Sequence, residues 1–147
     1  MKFRSLALGA ALTLLGFAGL GQPARAQEYK LGPDSIQQPD VPKGEVTYYK
    51  AKNSKVFPGS EHDVWVYVPK QYDASKPACV MIFQDGGGFQ DRNGGFRVPV
   101  VFDNLIAKKQ MPVTVAIMIN PGVLPPPEGS NALPRYNRSF EYDDPTD

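Results

Sequence analysis

The chain has 147 residues, of which 41% are hydrophobic and 21% are charged. These proportions are ordinary for a globular protein and exclude global disorder. Its 15 prolines and 14 glycines follow no three-residue period, which excludes a collagen, and they are too numerous for long helical bundles or coiled coils.

Charge and cysteine content exclude further classes of protein. There are 16 basic and 15 acidic residues, but three of the basic residues lie among the first 26, so the remainder is slightly acidic. No Lys/Arg-rich stripe is present, and nucleic-acid binding is therefore disfavoured. The single cysteine, Cys79, excludes an internal disulfide. Its apolar neighbours favour a small buried core side chain over a reactive thiol.

The N-terminus has the pattern of an export signal. Lys2 and Arg4 precede an apolar stretch at residues 6–20, and Ala24-Arg25-Ala26 has the small-x-small form of a cleavage site. The stretch is shorter than the roughly 20 residues that span a bilayer, so a membrane anchor is the weaker alternative. We expect cleavage after Ala26, a periplasmic or extracellular location, and no membrane association of the mature protein.

The residues after the signal predict an irregular arm followed by an antiparallel strand pair. Residues 27–43 are polar and interrupted by prolines, which favours an extended arm. Residues 44–52 are β-branched and aromatic, and residues 56–60 have turn composition. Residues 62–68 alternate, with valines on one face and Asp63, Trp65 and Tyr67 on the other, as in a half-buried strand.

A βαβ unit follows. Residues 78–84 and 113–119 are short apolar runs typical of strands that are buried on both faces. Between them, Pro99 suits the first turn of a helix of about eleven residues, which ends before Pro112. Its apolar side is formed by Val98, Val101, Phe102, Leu105 and Ile106. A strand, a helix and a second strand with short connections predict a parallel pair.

The C-terminal part predicts a loop and then a helix that is only begun. Residues 120–135 contain five prolines and are expected to form a long irregular loop. Asp144 suits an N-cap, Pro145 a first helical position and Asp147 the third. The βαβ unit also leaves one apolar sheet face without a covering helix. The sequence therefore predicts the N-terminal part of a larger α/β domain.

The motif with the most chemical content is Gln-Asp-Gly-Gly-Gly-Phe at residues 84–89. Consecutive glycines at the carboxyl end of a buried strand allow a sharp turn and leave amide N–H groups free to face developing negative charge. This arrangement suits an oxyanion hole formed by the backbone of Gly87 and Gly88, flanked by Asp85 and Phe89 as substrate contacts. The alternative, a turn with only a steric role, stays open.

An ordered series of segments resembles the start of exported esterases in the enterochelin esterase and esterase D-like branch of the α/β-hydrolases. The segments are residues 55–59, 63–69, 80–89, 96–106, 119–122 and 137–143. The resemblance covers roughly residues 43–147. It implies a mostly parallel sheet with helices on both faces and a Ser, Asp/Glu, His triad located after these residues. Asp85 stands where the HGGG-type motif of such enzymes has histidine.

The chain departs from that family by lacking a nucleophile. The closest string to Gly-x-Ser-x-Gly surrounds Ser130, in a proline-rich loop with neither glycine in register. The only histidine, His62, lies at the start of an early strand, whereas in this fold the triad histidine comes last, so we expect a surface or strand-edge residue. A protein-made zinc site is also disfavoured, and no cofactor is expected.

Two further groups have both a functional and a structural interpretation. Arg138 and Glu141 follow the second parallel strand, where the arginine could hold an anionic or hydroxyl-rich acyl group, or the two could form an ion pair that braces the loop. The aromatic residues near the strand pair could bind sugar, but cross-strand packing is the commoner cause. These are Tyr48, Tyr49, Trp65 and Tyr67.

The preferred interpretation divides the chain into a signal peptide at residues 1–26, an arm at 27–43 and the N-terminal portion of an α/β-hydrolase esterase domain at 44–147. By resemblance, the activity is serine-type hydrolysis of a small-molecule carboxylic ester. The chain would supply the oxyanion-hole loop and be inactive alone. The alternative is a small noncatalytic β-rich carbohydrate-binding module, which would lack the βαβ unit.

Overall fold

The computed structural model describes residues 30–143. The signal pattern and the helix start at residues 144–147 lie outside the described residues. Within them the fold is mixed α/β, with a four-stranded sheet and few helices. The strands of the sheet are β1 (Glu45–Ala51), β2 (His62–Val68), β3 (Cys79–Gln84) and β4 (Thr114–Ile119).

The strands lie in the order β1-β2-β4-β3, with β1 antiparallel to β2, β2 antiparallel to β4, and β3 parallel to β4. The predicted antiparallel pair and the predicted parallel pair are both confirmed. Helix α1 (Val98–Ala107) connects β3 to β4 and begins with Pro99 in its first turn. Lys109 follows it in the left-handed conformation (φ 57°), where a helix end usually has glycine.

One face of the sheet carries the core. Alternate residues of β2 and β4 point toward α1, as the period-two pattern predicts. Tyr67 is fully buried, and its ring packs edge-on against Phe102 of α1 at a centroid distance of 5.7 Å. The core cluster consists of Tyr67, Val98, Phe102, Ile106, Ala116 and Met118.

The predicted apolar helix face was only partly correct. Val101 and Leu105 are half-buried, whereas Asp103 and Asn104 are completely buried. The reason is that the N-terminal arm packs on this side of the helix, so the buried surface extends beyond the sheet-facing stripe. Asn104 donates through Nδ2 to the carbonyl oxygens of Asp34 (2.8 Å) and Ile36 (2.9 Å), which fixes the arm on α1.

The expectation that β3 is buried on both faces was wrong for the described residues. Val80 is 59% exposed and Ile82 is 65% exposed. Cys79 is also exposed, which corrects its assignment to the core. The physical reason is that β3 is the edge strand of the described sheet and has a partner only in β4, while α1 covers only the opposite face.

The exposed apolar strand leads to a testable prediction. We expect the 147-residue chain by itself to bind a hydrophobic dye such as ANS and to lack a sharp thermal transition, since Val80 and Ile82 lie two residues apart on the face opposite α1 and expose apolar surface to water. Dye fluorescence and circular dichroism on a monomeric sample measure both properties. A sharp transition without dye binding would contradict this prediction, since it would mean that the chain folds cooperatively without presenting this apolar surface to the dye.

The loop prediction was wrong at both ends of residues 120–135. Strand β5 (Val123–Leu124) pairs antiparallel with β6 (Arg135–Tyr136). Helix α2 (Arg138–Tyr142) follows β6. A bridge between Glu61 and Val123 ties β5 to the chain just before β2. These contacts place α2 close to the ends of the parallel strands. No helix among the described residues is both long enough and apolar enough to cross a membrane.

Candidate functional site

The candidate site lies at the carboxyl edge of the parallel pair β3 and β4. The last residues of the two strands, Gln84 and Ile119, are register partners, so the segments that follow them begin side by side. In open α/β sheets this edge is where ligands bind. After β3 the chain turns at Asp85, which adopts a left-handed conformation (φ 55°, ψ 42°), and then forms a 3₁₀ turn at Gly86–Gly88.

The triple glycine has a steric role at its first position. A Cβ on Gly86 would overlap the backbone of Met118 and Ile119 in β4, so only glycine fits. The sharp turn itself is made by Asp85, since none of the three glycines has a positive φ. From the sequence, the glycines were expected to make the sharp turn. In the structure, Gly86 is needed because its backbone lies close to the backbone of β4, and the left-handed backbone conformation is adopted by Asp85.

The two predicted oxyanion-hole amides are not free, contrary to the sequence argument. Gly87 N donates to Asn120 Oδ1 at 2.8 Å, and Gly88 N donates to the Asp85 carbonyl oxygen at 3.2 Å within the turn. Asn120 was missed. The signal that could have revealed it is its position directly after β4, beside the segment that follows β3.

The predicted partner of Arg138 was wrong, because the guanidinium binds Asp85 and not Glu141. Its Nε lies 3.0 Å from Asp85 Oδ1 and its Nη2 lies 2.7 Å from Oδ2, a two-pronged arrangement. The hydrogen bond from Arg138 holds the pKa of the Asp85 carboxyl below its usual range. Both side chains are about half exposed, so solvent screens the attraction.

Tyr142 completes this cluster and was also missed by the sequence argument. Its hydroxyl oxygen accepts from Asp85 N at 3.3 Å, and the guanidinium of Arg138 lies 5.3 Å from the centre of its ring. Partial burial raises the pKa of the Tyr142 phenol, so it stays protonated at neutral pH. Arg138 and Tyr142 are four residues apart, which places them on one side of α2.

Glu141 lies on another side of α2 and contacts His62. Glu141 Oε2 is 3.0 Å from His62 Nε2, and the carboxylate is almost fully buried. The expectation of a surface histidine was therefore wrong in part: His62 does begin β2, but its imidazole is only 12% exposed. No described serine hydroxyl bonds to it. Ser130, which lies in an exposed turn, accepts instead from Ala132 N at 3.0 Å.

The remaining sequence-predicted contacts belong to aromatic packing. Phe89 stacks on Phe96 with ring centres 4.6 Å apart and lies 5.1 Å from Phe83. Tyr48 and Trp65 are cross-strand partners with ring centres 5.6 Å apart, as the packing interpretation requires. The four aromatic residues do not share a sugar-binding face, because Tyr67 is buried in the core and Tyr49 lies on the opposite face of the sheet from Tyr48 and Trp65. In the part of the chain that the structure describes, no cluster of His, Cys, Asp or Glu could hold a metal ion.

No protein-family model and no curated protein matches the chain. Solved structures do match it. A CE1 ferulic acid esterase from Anaeromyces mucronatus, in complex with ferulic acid, is 19% identical with a TM-score of 0.49, over 71% of this chain and 38% of that one. The feruloyl esterase module from Clostridium thermocellum, a serine-to-alanine mutant complexed with sinapinate, is 18% identical with a TM-score of 0.43.

The Clostridium alignment covers 63% of this chain and 32% of the module. A third structure, named FAE, is 14% identical with a TM-score of 0.46, over 78% of this chain and 38% of that one. The chain therefore spans 32% to 38% of the length of these three structures.

Proposed function

We propose that this chain is the N-terminal part of an exported serine-type carboxylic ester hydrolase with an α/β-hydrolase fold, in the enterochelin esterase and esterase D-like branch. The observation that carries the proposal is the place of the glycine turn. It lies in the loop between β3 and α1, at the carboxyl edge of a parallel pair. In α/β-hydrolases that loop contributes one N–H to the oxyanion hole, and the residue after the nucleophile contributes the other.

The chemistry of ester cleavage defines what the loop must do. Attack by a serine hydroxyl on the ester carbonyl converts its oxygen into an oxyanion, which needs donors at about 2.7 to 3.1 Å. Gly87 N already holds an oxygen acceptor, Asn120 Oδ1, at 2.8 Å. An oxyanion is a stronger acceptor than an amide oxygen. We therefore infer that the substrate displaces Asn120 from Gly87 N as the tetrahedral intermediate forms.

Arg138 supplies the positive charge at the same edge. In the structure Asp85 occupies two of its donors, and both side chains remain open to solvent. A carboxylate or hydroxyl group on the substrate can share those donors without leaving a buried charge unpaired. We propose that Arg138 and Asp85 contact the acyl or alcohol part of the substrate, with the nucleophile and triad histidine contributed by residues beyond Asp147.

The carbohydrate-binding alternative has less support. Its aromatic face is absent, since Tyr67 is buried and Tyr49 lies on the face of the sheet opposite Trp65. The described chain also contains the parallel pair connected by α1 that a β-sandwich module would lack. These two observations favour the hydrolase.

The proposal is tested on the full-length product of the open reading frame that contains these residues, called the full-length product below. We expect the frame to continue past Asp147 into a Gly-x-Ser-x-Gly motif. The purified product should hydrolyse p-nitrophenyl acetate, and replacement of that serine by alanine should abolish turnover. A frame that stops at Asp147, or a full-length product without a serine-dependent esterase activity, would overturn the proposal.

The 147-residue chain alone should hydrolyse no ester above background. It contains no nucleophile elbow, and the imidazole of His62 is engaged by Glu141 instead of a serine. Turnover of p-nitrophenyl acetate is the measurement, with a Ser130→Ala variant as control. Activity that survives purification and disappears in that variant would contradict both the missing nucleophile and the assignment of His62.

A further inference from the structure

A buried histidine–carboxylate pair joins three segments of the chain. Glu141 Oε2 contacts His62 Nε2 at 3.0 Å and accepts from Gly122 N at 2.8 Å. The Glu141 side chain is 5% exposed and that of His62 is 12% exposed. One carboxylate oxygen thus connects α2, the start of β2 and the turn that follows β4.

The carboxylate packs tightly against the backbone of Gly122. A Cβ on Gly122 would overlap the Glu141 carboxylate and would lie 2.8 Å from Ser60 Cβ and 2.9 Å from His62 Nε2. Ser60 is itself 1% exposed and donates to the Phe57 carbonyl oxygen at 2.7 Å. Glu141 Oε2 is thus held by two hydrogen bonds, while Oε1 is buried without a hydrogen-bond partner among the described residues.

Helix α2 depends on such anchors for its position. It has five residues, fewer than a helix needs to be stable by itself, so side-chain contacts must locate it. Glu141 provides the buried anchor on one side. Arg138 and Tyr142, on the adjacent face of the helix, contact Asp85 at the candidate site. Displacing Glu141 would therefore displace the guanidinium of Arg138 relative to the glycine turn.

We propose that His62 and Glu141 are positioning residues that set the place of Arg138 against Asp85. As a statement about ester turnover, this rests on the proposed function above. Neither side chain reaches the glycine turn by any contact in the structure, so they act through α2. A misplacement of about 1 Å in such a group can lower turnover as much as about 100-fold.

The pKa of Asp85 distinguishes positioning from a purely structural contribution. The hydrogen bond from Arg138 lowers that pKa, and the groups that face Asp85 are Arg138 and the Tyr142 hydroxyl. If His62 and Glu141 set the place of Arg138, loss of either one weakens the pairing and raises the pKa of Asp85 toward its usual range. A loss of stability without movement of α2 leaves that pKa unchanged.

The experiment follows the side-chain carboxyl carbon of Asp85 by NMR during a pH titration of the full-length product. We expect Glu141→Ala and His62→Ala to raise the pKa of Asp85 and to lower kcat/KM together. Glu141→Gln should be closer to the parent, since its amide oxygen can accept from both His62 and Gly122. Glu61→Gln, which removes the carboxylate paired with Lys52 beside β2, is the matched control and should change neither quantity.

The outcomes separate this inference from the proposed function. If Asp85 titrates as in the parent in folded Glu141→Ala and His62→Ala variants, the positioning role is wrong. If Glu141→Ala does not fold, His62→Ala decides, with His62→Gln as the conservative variant that should restore the parent pKa of Asp85. A full-length product without esterase activity refutes the proposed function, and the pKa comparison still tests the positioning of Arg138.

Discussion

Replacing Gly87 by valine in the full-length product is expected to lower kcat for ester hydrolysis by a factor of about 100 to 1,000, with KM near the parent value. A Cβ at this position lies 3.2 Å from Asn120 Nδ2 and 3.5 Å from Trp65 Cη2, so a branched side chain must push the loop aside and misdirect the Gly87 N–H. The loss falls on kcat because the oxyanion exists only in the transition state and the intermediate. Steady-state kinetics with p-nitrophenyl acetate measure it.

Two other glycines serve as comparisons for this variant. Gly95→Val is the matched control, because a Cβ at Gly95 meets nothing within 4 Å, and its kcat should equal that of the parent. Gly88→Val should have the smaller effect of the two loop substitutions, since Gly88 N already bonds within the turn and its Cβ would lie 3.9 Å from Phe96. If both loop variants keep kcat within a few-fold of the parent, the glycine turn is not an oxyanion hole.

The sheet was predictable because its signals are local. Alternation in β2 and short apolar runs at β3 and β4 each depend on residues within one strand, and the βαβ connection then dictates a parallel pair. The exposure of β3 was not predictable in the same way. An apolar run indicates that a strand can be buried on two faces, but whether it is buried depends on the neighbouring elements that cover it. In this protein α1 covers only one face of β3.

The candidate site was predictable in its location but not in its pairings. Asp85 and the glycines follow β3 directly, so sheet geometry places them at this edge. Arg138 reaches the same edge through the β5–β6 pair that precedes α2. Which carboxylate Arg138 would choose depends on the rotation of α2. A helix beginning at Arg138 presents Arg138 and Glu141 about 60° apart by helical geometry. In the structure Glu141 contacts His62, and the guanidinium of Arg138 binds Asp85 instead.

Dependence on tertiary contacts also explains why the buried polar network around Asp103 in α1 was not predicted from the sequence. Asp103 and Asn104 fall between the apolar positions of the helix, where a polar residue is expected to face solvent. In the structure Asp103 is fully buried. It accepts from Gly44 N at 2.8 Å, from the Tyr67 hydroxyl at 2.7 Å and from Arg92 Nη1 at 2.7 Å. Burial, together with the hydrogen bond from the Tyr67 hydroxyl to Asp103, raises the pKa of the Tyr67 phenol well above its usual range.

Truncation of Asp103 is therefore expected to destabilise the protein. Asp103→Ala leaves the buried Tyr67 hydroxyl without its acceptor and removes one of the acceptors of Arg92. Because Arg92 keeps its hydrogen bonds to Gln37 and Gly44, we expect a cost of about 1 to 3 kcal/mol in the free energy of unfolding. Urea denaturation of the full-length product measures that cost. Asp63→Ala is the matched control, because Asp63 also binds a tyrosine and a cation, Tyr48 and Lys50, but at the surface, where water replaces the lost carboxylate. Equal losses in the two variants would mean that burial of the Asp103 network contributes nothing to stability.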